Sequence, residues 1–161
     1  VFEVYDLGAN EWTKKASLPT HREEYGTGVV NGIIYVIGGH PIENAIVEAY
    51  DPVMDTWTRK ADMLTPRRRL EVCVLDGILY AIGGQDEKNT TVKTVEAYDP
   101  GTDTWTRKAD MLEGRSYHAA GVIDDALIYN GHIYKVVNPY WEQDPDDLLN
   151  ETGKSDVLLY T

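Results

Sequence analysis

The feature that most constrains this chain is an internal repeat. The ten-residue sequence Asp-Thr-Trp-Thr-Arg-Lys-Ala-Asp-Met-Leu occurs at residues 55–64 and again at 103–112. Each copy follows the hexapeptide Val-Glu-Ala-Tyr-Asp-Pro, at 47–52 and at 95–100. A diverged earlier copy begins at Phe2. Self-similarity of this kind indicates stacked units, each too small to bury its apolar face alone.

Aromatic residues recur within the repeat at fixed distances. The tryptophans at 12, 57 and 105 lie 45 and 48 residues apart, and each follows an aspartate by six residues. The recurring aromatic residues are Tyr5, Tyr50, Tyr98, Trp12, Trp57 and Trp105. A strict spacing inside a looser period indicates a fixed turn between two strands. We expect these rings to pack between neighbouring units, since stacking on a ligand would not require repetition.

Between these copies lies a second matched pair, at residues 28–39 and 72–84. Each is two apolar runs joined by Asn-Gly or Asp-Gly, the strongest short-range signal for a β-hairpin. Each ends in two glycines, where a side chain would collide with neighbouring backbone. The paired glycines are Gly38, Gly39, Gly83 and Gly84. One period therefore holds four strands, a to d, with the glycines ending strand b.

Aspartates flank the predicted c–d turn in both well-preserved repeats, namely Asp51, Asp55, Asp99 and Asp103. Short carboxylates cap backbone N–H groups in turns, and we expect that role here. Calcium binding is the alternative, but these pairs lack the dense oxygen ligands of calcium loops.

Apolar residues before a glycine pair, followed by a tyrosine and a tryptophan, resemble the kelch motif. The resemblance covers about residues 1–132 and implies an all-β fold, a kelch-type β-propeller with about three four-stranded blades. The implied units are strands c and d of an incomplete blade at 1–20, kelch repeats at 21–64 and 65–112, and a degenerate repeat at 113–161. Since propellers typically need about four to eight blades, we expect a partial propeller. An excerpt of a longer protein is favoured over a chain that assembles with its own copies.

The third repeat departs from the pattern because the expected glycine pair is missing. Either Gly131 matches Gly83, or the dipeptide at 130–131 matches the turn at 31–32 after a six-residue insertion. The second alignment recovers both a turn and a tyrosine, so it predicts the a–b turn at 130–131. An acidic insertion follows at about 138–156, and we expect it to be disordered rather than a partner-binding loop.

Net charge and cysteine content limit the classes of partner and the compartment that we expect for this chain. A net charge of −12 argues against nucleic acid and anionic membranes, and no stretch is apolar enough to span a bilayer. The single cysteine, Cys73, cannot form an internal disulfide, and we expect it to be a small buried apolar residue. That fits a reducing compartment, so we expect a cytoplasmic protein.

Partner recognition is expected from the connections in which the repeats differ, the d–a and b–c loops. Residues 66–69, Pro-Arg-Arg-Arg, resemble the Pro-Arg-x-Arg of substrate adaptors of ubiquitin ligases. The resemblance implies that Arg69 faces a central pocket and binds acidic side chains. Arg69 precedes a turn glycine by eight residues, and the same offset selects Glu24 and Tyr117. The candidate contact residues are Arg69, Arg67, Arg68, Glu24, Tyr117, His40 and Gln85. The alternative is that the three arginines are solvated surface charges.

We found no signal for catalysis. The four histidines share no metal-ligand spacing, no Cys-x-x-Cys occurs, and we expect neither a metal nor a cofactor. The leading hypothesis is therefore a scaffold for protein–protein interaction, with a protein or peptide partner and a function in substrate recognition for a ubiquitin ligase. The alternatives are a kelch-like propeller enzyme, of the oxidase or sugar isomerase kind, and a purely structural scaffold.

Overall fold

The computed structural model describes residues 2–41, 45–123, 126–129 and 132–135, and within them the chain is all-β, as predicted. Within these ranges thirteen strands form four antiparallel sheets, which we call blades I to IV. Blade I contains β1 (Phe2–Asp6) and β2 (Glu11–Lys15). Blade II contains β3 (Gly26–Val30), β4 (Ile33–Ile37), β5 (Val47–Asp51) and β6 (Thr56–Lys60). Blade III contains β7 (Glu71–Leu75), β8 (Ile78–Ile82), β9 (Val95–Asp99) and β10 (Thr104–Arg107). Blade IV contains β11 (Ala120–Ile123), β12 (Ala126–Tyr129) and β13 (His132–Lys135).

The turn chemistry read from the sequence sets the hairpins of blades II and III. Asn31 and Gly32 have φ angles of 50° and 79°, and Asp76 and Gly77 have 51° and 76°. Two successive positive φ values define the turn that matches the twist of a two-residue hairpin, and Asn, Asp and Gly adopt them most readily.

Blade IV corrects the alignment that the sequence favoured. β11 pairs with β12 across residues 124–125, so the predicted a–b turn at 130–131 is wrong. Strand β13 instead pairs with β12 in the place of strand c. Leu127 lies opposite Tyr134 in this ladder, as Leu79 lies opposite Tyr98 in blade III. Only two residues of the sequence therefore separate strands b and c in blade IV, whereas nine separate them in blade II and twelve in blade III. The predicted acidic insertion at about 138–156 lies outside the described residues.

The apolar core lies between the blades rather than inside any one of them. Tyr35 and Val47 of blade II and Leu79 and Tyr98 of blade III belong to one buried cluster. A four-stranded sheet is too thin to bury its own side chains, so each face is covered by the next blade.

The paired glycines allow these blades to approach closely. A Cβ atom on Gly38 would lie 2.5 Å from the carbonyl oxygen of Arg67, and one on Gly83 would lie 2.5 Å from that of Arg115. Both glycines also have positive φ, at 65° and 58°. Any side chain would push the next blade away, which explains the recurrence of glycine at these positions.

One arrangement, which we call the inter-blade joint, connects blade III to blade II. The indole N–H of Trp105 donates to the carbonyl oxygen of Ala61 (3.0 Å), and the amide N–H of Ala61 donates to the Asp103 carboxylate (2.9 Å). The Tyr98 hydroxyl donates to the same carboxylate oxygen at 2.5 Å. Both polar backbone groups of Ala61 are thus bound by side chains of the following blade.

The same joint connects blade II to blade I. The indole of Trp57 donates to Ala16 (2.7 Å), whose N–H donates to Asp55 (2.9 Å). The Tyr50 hydroxyl also donates to Asp55, at 2.7 Å. The sequence predicted that the rings pack between units, but it did not predict that Asp55 reaches a neighbouring blade.

The other two turn aspartates act as expected. Asp51 accepts hydrogen bonds from the amides of Val53 and Met54 in its own c–d turn, at 2.8 and 3.1 Å. Asp99 accepts one from Gly101, at 2.8 Å.

The joint predicts a dependence of stability on acid. Hydrogen bonds from Ala16 and Tyr50 lower the pKa of Asp55, and those from Tyr98 and Ala61 lower the pKa of Asp103. A folded-state pKa below the unfolded value of about 4 stabilises the fold above that pH, and this stabilisation is lost as the pH falls through the lowered pKa.

We therefore predict that Asp55→Asn/Asp103→Asn, which keeps the acceptor oxygens, is less stable than the parent chain at neutral pH. The difference should shrink as the pH falls below about 4, because only the parent carboxylates become protonated. Urea unfolding between neutral pH and about pH 2.5 measures it. A difference that stays constant over that range contradicts the assignment.

Candidate functional site

Three loop segments from consecutive blades meet where the binding residues were expected. The amide of Arg69 donates to the carbonyl oxygen of Glu24 (2.7 Å), and the amide of Tyr117 donates to that of Arg69 (3.3 Å). Isolated bridges also join Glu23 to His40 and Arg68 to Gln85, so each d–a loop lies against the b–c loop of its own blade. Equivalent positions are therefore linked from blade to blade by backbone hydrogen bonds.

The three linked residues share an uncommon backbone conformation. Glu24, Arg69 and Tyr117 have φ angles of 58°, 55° and 52°. Residues other than glycine rarely adopt this region, and Glu, Arg and Tyr have no special preference for it. Such positions persist only where the surroundings enforce them, and they concentrate at functional sites.

The side chains at these positions form one contact group, which we call the Arg69 cluster (Glu24, Arg68, Arg69, Gln85 and Tyr117). Arg69 donates from Nε and Nη2 to one carboxylate oxygen of Glu24, at 2.9 and 2.7 Å. Its Nη1 donates to Gln85 at 2.7 Å. The guanidinium carbon lies 4.4 Å from the centre of the Tyr117 ring, within cation–π range.

Arg68 binds the other oxygen of the same carboxylate, at 3.0 Å. It also donates to Asn89 in the b–c loop, and its Nη1 lies 3.4 Å from Nδ1 of His40. One glutamate therefore connects two arginines, while His40 lies at the edge of the cluster.

Exposure differs across the cluster. The side chains of Arg68, Arg69 and Glu24 are 13%, 21% and 23% exposed, whereas Tyr117 is 70% exposed. The arginines are thus ordered by partners, and the alternative that they are freely solvated is wrong. A large exposed ring beside a partly buried ion pair is typical of surfaces that bind proteins.

The ion pair fixes the charge of the cluster. The hydrogen bond from Arg69 lowers the pKa of Glu24, and the bond to Glu24 raises the pKa of Arg69. Two guanidinium groups face one carboxylate, so a local positive charge remains on an acidic chain.

Arg67 does not belong to this surface, which corrects its assignment as a contact residue. Its side chain is fully buried and pairs with the equally buried Glu96 at 3.2 Å. It also donates to the carbonyl oxygens of Gly83 (2.9 Å) and Thr94 (2.8 Å). The buried arginine therefore connects the d–a loop to strands b and c of its own blade.

A matching pair in blade II shows that this is a repeated structural element. Arg22 pairs with Glu48 at 3.0 Å and donates to the carbonyl oxygen of Val36, and both charged side chains are almost fully buried. Arg22 precedes the turn glycine Gly32 by ten residues, the same offset as for Arg67. That repetition was visible in the sequence and separates the buried arginine from Arg68 and Arg69.

No group of three or more His, Cys, Asp or Glu side chains in the described ranges could hold a metal ion. In the same part of the chain, no helix is long and apolar enough to cross a membrane.

Comparison with known proteins identifies the family. The kelch motif matches residues 21–64 and 66–112, more than half of the chain, and the chain therefore belongs to the kelch-repeat proteins. A solved structure titled "Structure of YjhT", a kelch-type propeller, matches with a TM-score of 0.62 and 21% sequence identity. The match covers 70% of this chain and 35% of that one, and at this identity it shows the fold alone. No curated protein matches the sequence.

These findings confirm the predicted recognition and fold class, a partial kelch-type propeller. Kelch repeats generally mediate protein–protein interaction. The binding residues and the boundaries of the units stay predictions.

The buried pairs predict a large cost for removing one partner. Arg67→Met leaves Glu96 charged and unpaired in the interior, and we expect a loss of about 3–5 kcal/mol in the free energy of unfolding. Arg59→Met removes the half-exposed pair with Asp62 and should cost at most about 1 kcal/mol. Denaturant unfolding of the two variants makes the comparison. Equal losses would show that the buried pair has no special role.

Proposed function

We propose that this chain binds a protein or peptide through the Arg69 cluster and that Arg69 recognises an acidic side chain of the partner. The observation that carries the proposal is the arrangement of Arg69, which is held by Glu24 and Gln85 and stacked on an exposed tyrosine, with contacts from three consecutive blades. A guanidinium group fixed in this way loses little conformational entropy when it binds a carboxylate.

The geometry supports recognition of a carboxylate in particular. Glu24 already binds the Nε and Nη2 donors of Arg69, and this pairing supports the proposal that these donors can bind a carboxylate. Tyr117 supplies an apolar face beside it, and its ring is 70% exposed. Charged recognition beside an aromatic surface suits a short peptide segment with one acidic and one apolar side chain.

The cellular function of such recognition is a narrower proposal. Its only support is the sequence at 66–69, which resembles the Pro-Arg-x-Arg of substrate adaptors of ubiquitin ligases. A scaffold function without a ligase would use the same surface. Identification of the proteins that bind this chain decides between the adaptor function and the scaffold function.

The proposal predicts a selective loss of binding when Arg69 is changed. The probe is the tightest Glu-containing binder from an array of short random peptides, with a matched peptide in which Gln replaces Glu. Arg69→Ala should weaken the Glu peptide by about tenfold to a hundredfold, as expected for a hydrogen bond between charged groups, and should leave the Gln peptide nearly unchanged. Fluorescence anisotropy measures both dissociation constants.

Arg107→Ala is the matched control, because Arg107 lies on the outer strand β10 and pairs with Asp110 rather than with a residue of the Arg69 cluster. It should leave both affinities unchanged. If no peptide on the array binds, or if Arg69→Ala and Arg107→Ala act alike, the proposed function is wrong.

A further inference from the structure

Glu24 and Arg68 hold opposite sides of one ion-pair network in the Arg69 cluster, and their role in it rests on the proposed function. Glu24 is the only acidic member of the Arg69 cluster, and its two oxygens are divided between two arginines. Oε1 accepts from Arg69 and Oε2 accepts from Arg68. A partner carboxylate that approaches Arg69 therefore meets donors that are already in use.

We propose that Glu24 is a built-in competitor for the acidic partner and that Arg68 receives it when the partner binds. In the free protein Glu24 bridges both guanidinium groups. In the complex the partner's carboxylate takes Nε and Nη2 of Arg69, and Glu24 keeps its bond to Arg68. The exchange replaces one ion pair with another, so neither Glu24 nor Arg69 is left charged and unpaired.

The position of Arg68 suits it to receive Glu24. Its side chain is 13% exposed, so it offers little surface to a partner of its own. Asn89 accepts a hydrogen bond from its Nη2, which holds the guanidinium in place independently of Glu24. Arg68 can therefore keep its bond to Glu24 when Glu24 leaves Arg69.

The arrangement makes Glu24 a determinant of specificity. A neutral side chain on the partner cannot replace the bonds that Arg69 makes to Glu24, so displacement would leave the guanidinium unsatisfied. Only a carboxylate, or another anion of similar geometry, compensates the loss. Competition by Glu24 thus lowers affinity for every partner while it raises the preference for an acidic one.

A double-mutant cycle tests the inference with the acidic probe peptide and its Gln-matched control. Glu24→Gln frees Arg69 from competition and should tighten binding of the acidic peptide by about tenfold, the value of one charged hydrogen bond. It should also weaken discrimination against the Gln peptide. Arg68→Ala in the parent chain should weaken the acidic peptide by a similar factor, because Glu24 then has only Arg69 to bind.

The decisive measurement is Arg68→Ala in the Glu24→Gln background. If Arg68 acts by receiving Glu24, this change has no effect on affinity once the competitor is gone. If Arg68 contacts the partner directly, it weakens binding equally in both backgrounds, and the inference is wrong. Unfolding curves of all variants establish that each is folded at the assay temperature.

The outcomes separate this inference from the proposed function. If Arg69→Ala abolishes selective binding but Glu24→Gln leaves affinity unchanged, the cluster recognises acidic partners and Glu24 is not a competitor. If Arg69→Ala itself has no effect, the proposed function fails, and this inference fails with it.

Discussion

The structure depends on the way each blade binds the backbone of the blade before it. At Ala16 and at Ala61, both the N–H and the C=O are taken by an aspartate and a tryptophan of the following blade. Apolar contact between thin sheets is not directional, whereas these bonds fix one distance and one register between blades. The repeated arrangement of the blades then brings Glu24 and Arg69, which are 45 residues apart in sequence, into one cluster.

Much of this fold could be predicted from the repeated residues. The a–b turns of blades II and III, the glycine pairs and the all-β class follow from local chemistry that acts over a few residues, which is why they could be predicted. Blade IV shows where prediction from the sequence alone fails. Only two residues separate its strands b and c, and the sequence left two alignments open, with Gly131 in the place of Gly83 or with the a–b turn at 130–131. Only the pairing of β12 with both neighbours decides between these alignments. A tyrosine followed by a tryptophan seven residues later, at 134 and 141, was the signal that could have decided it.

The binding residues were predicted less well, for a physical reason. Within one repeat three adjacent arginines look alike, and only the matching offset of Arg22 distinguishes Arg67. Arg67 is buried against Glu96, while Arg68 and Arg69 are partly exposed. Burial depends on which way the loop turns, and that is set by tertiary contacts with strands b and c. The pairing of Glu24 with Arg69 likewise joins residues 45 apart, so no local pattern predicts it. The Arg69 cluster depends on the inter-blade joint. Glu24 and Arg69 belong to different blades, so they can pair only when the joint holds those blades in one position.

Amide hydrogen exchange at Ala16 and Ala61, followed by NMR, tests the inter-blade joint most directly. If the joint holds the blades together, both amides exchange only through global unfolding, with the same opening free energy as the central strand β8. Asp103→Ala should then release Ala61 and leave Ala16 protected. Exchange of both amides at the rate of an open loop in the parent chain would contradict the account, since the inter-blade joint would then not hold the blades together.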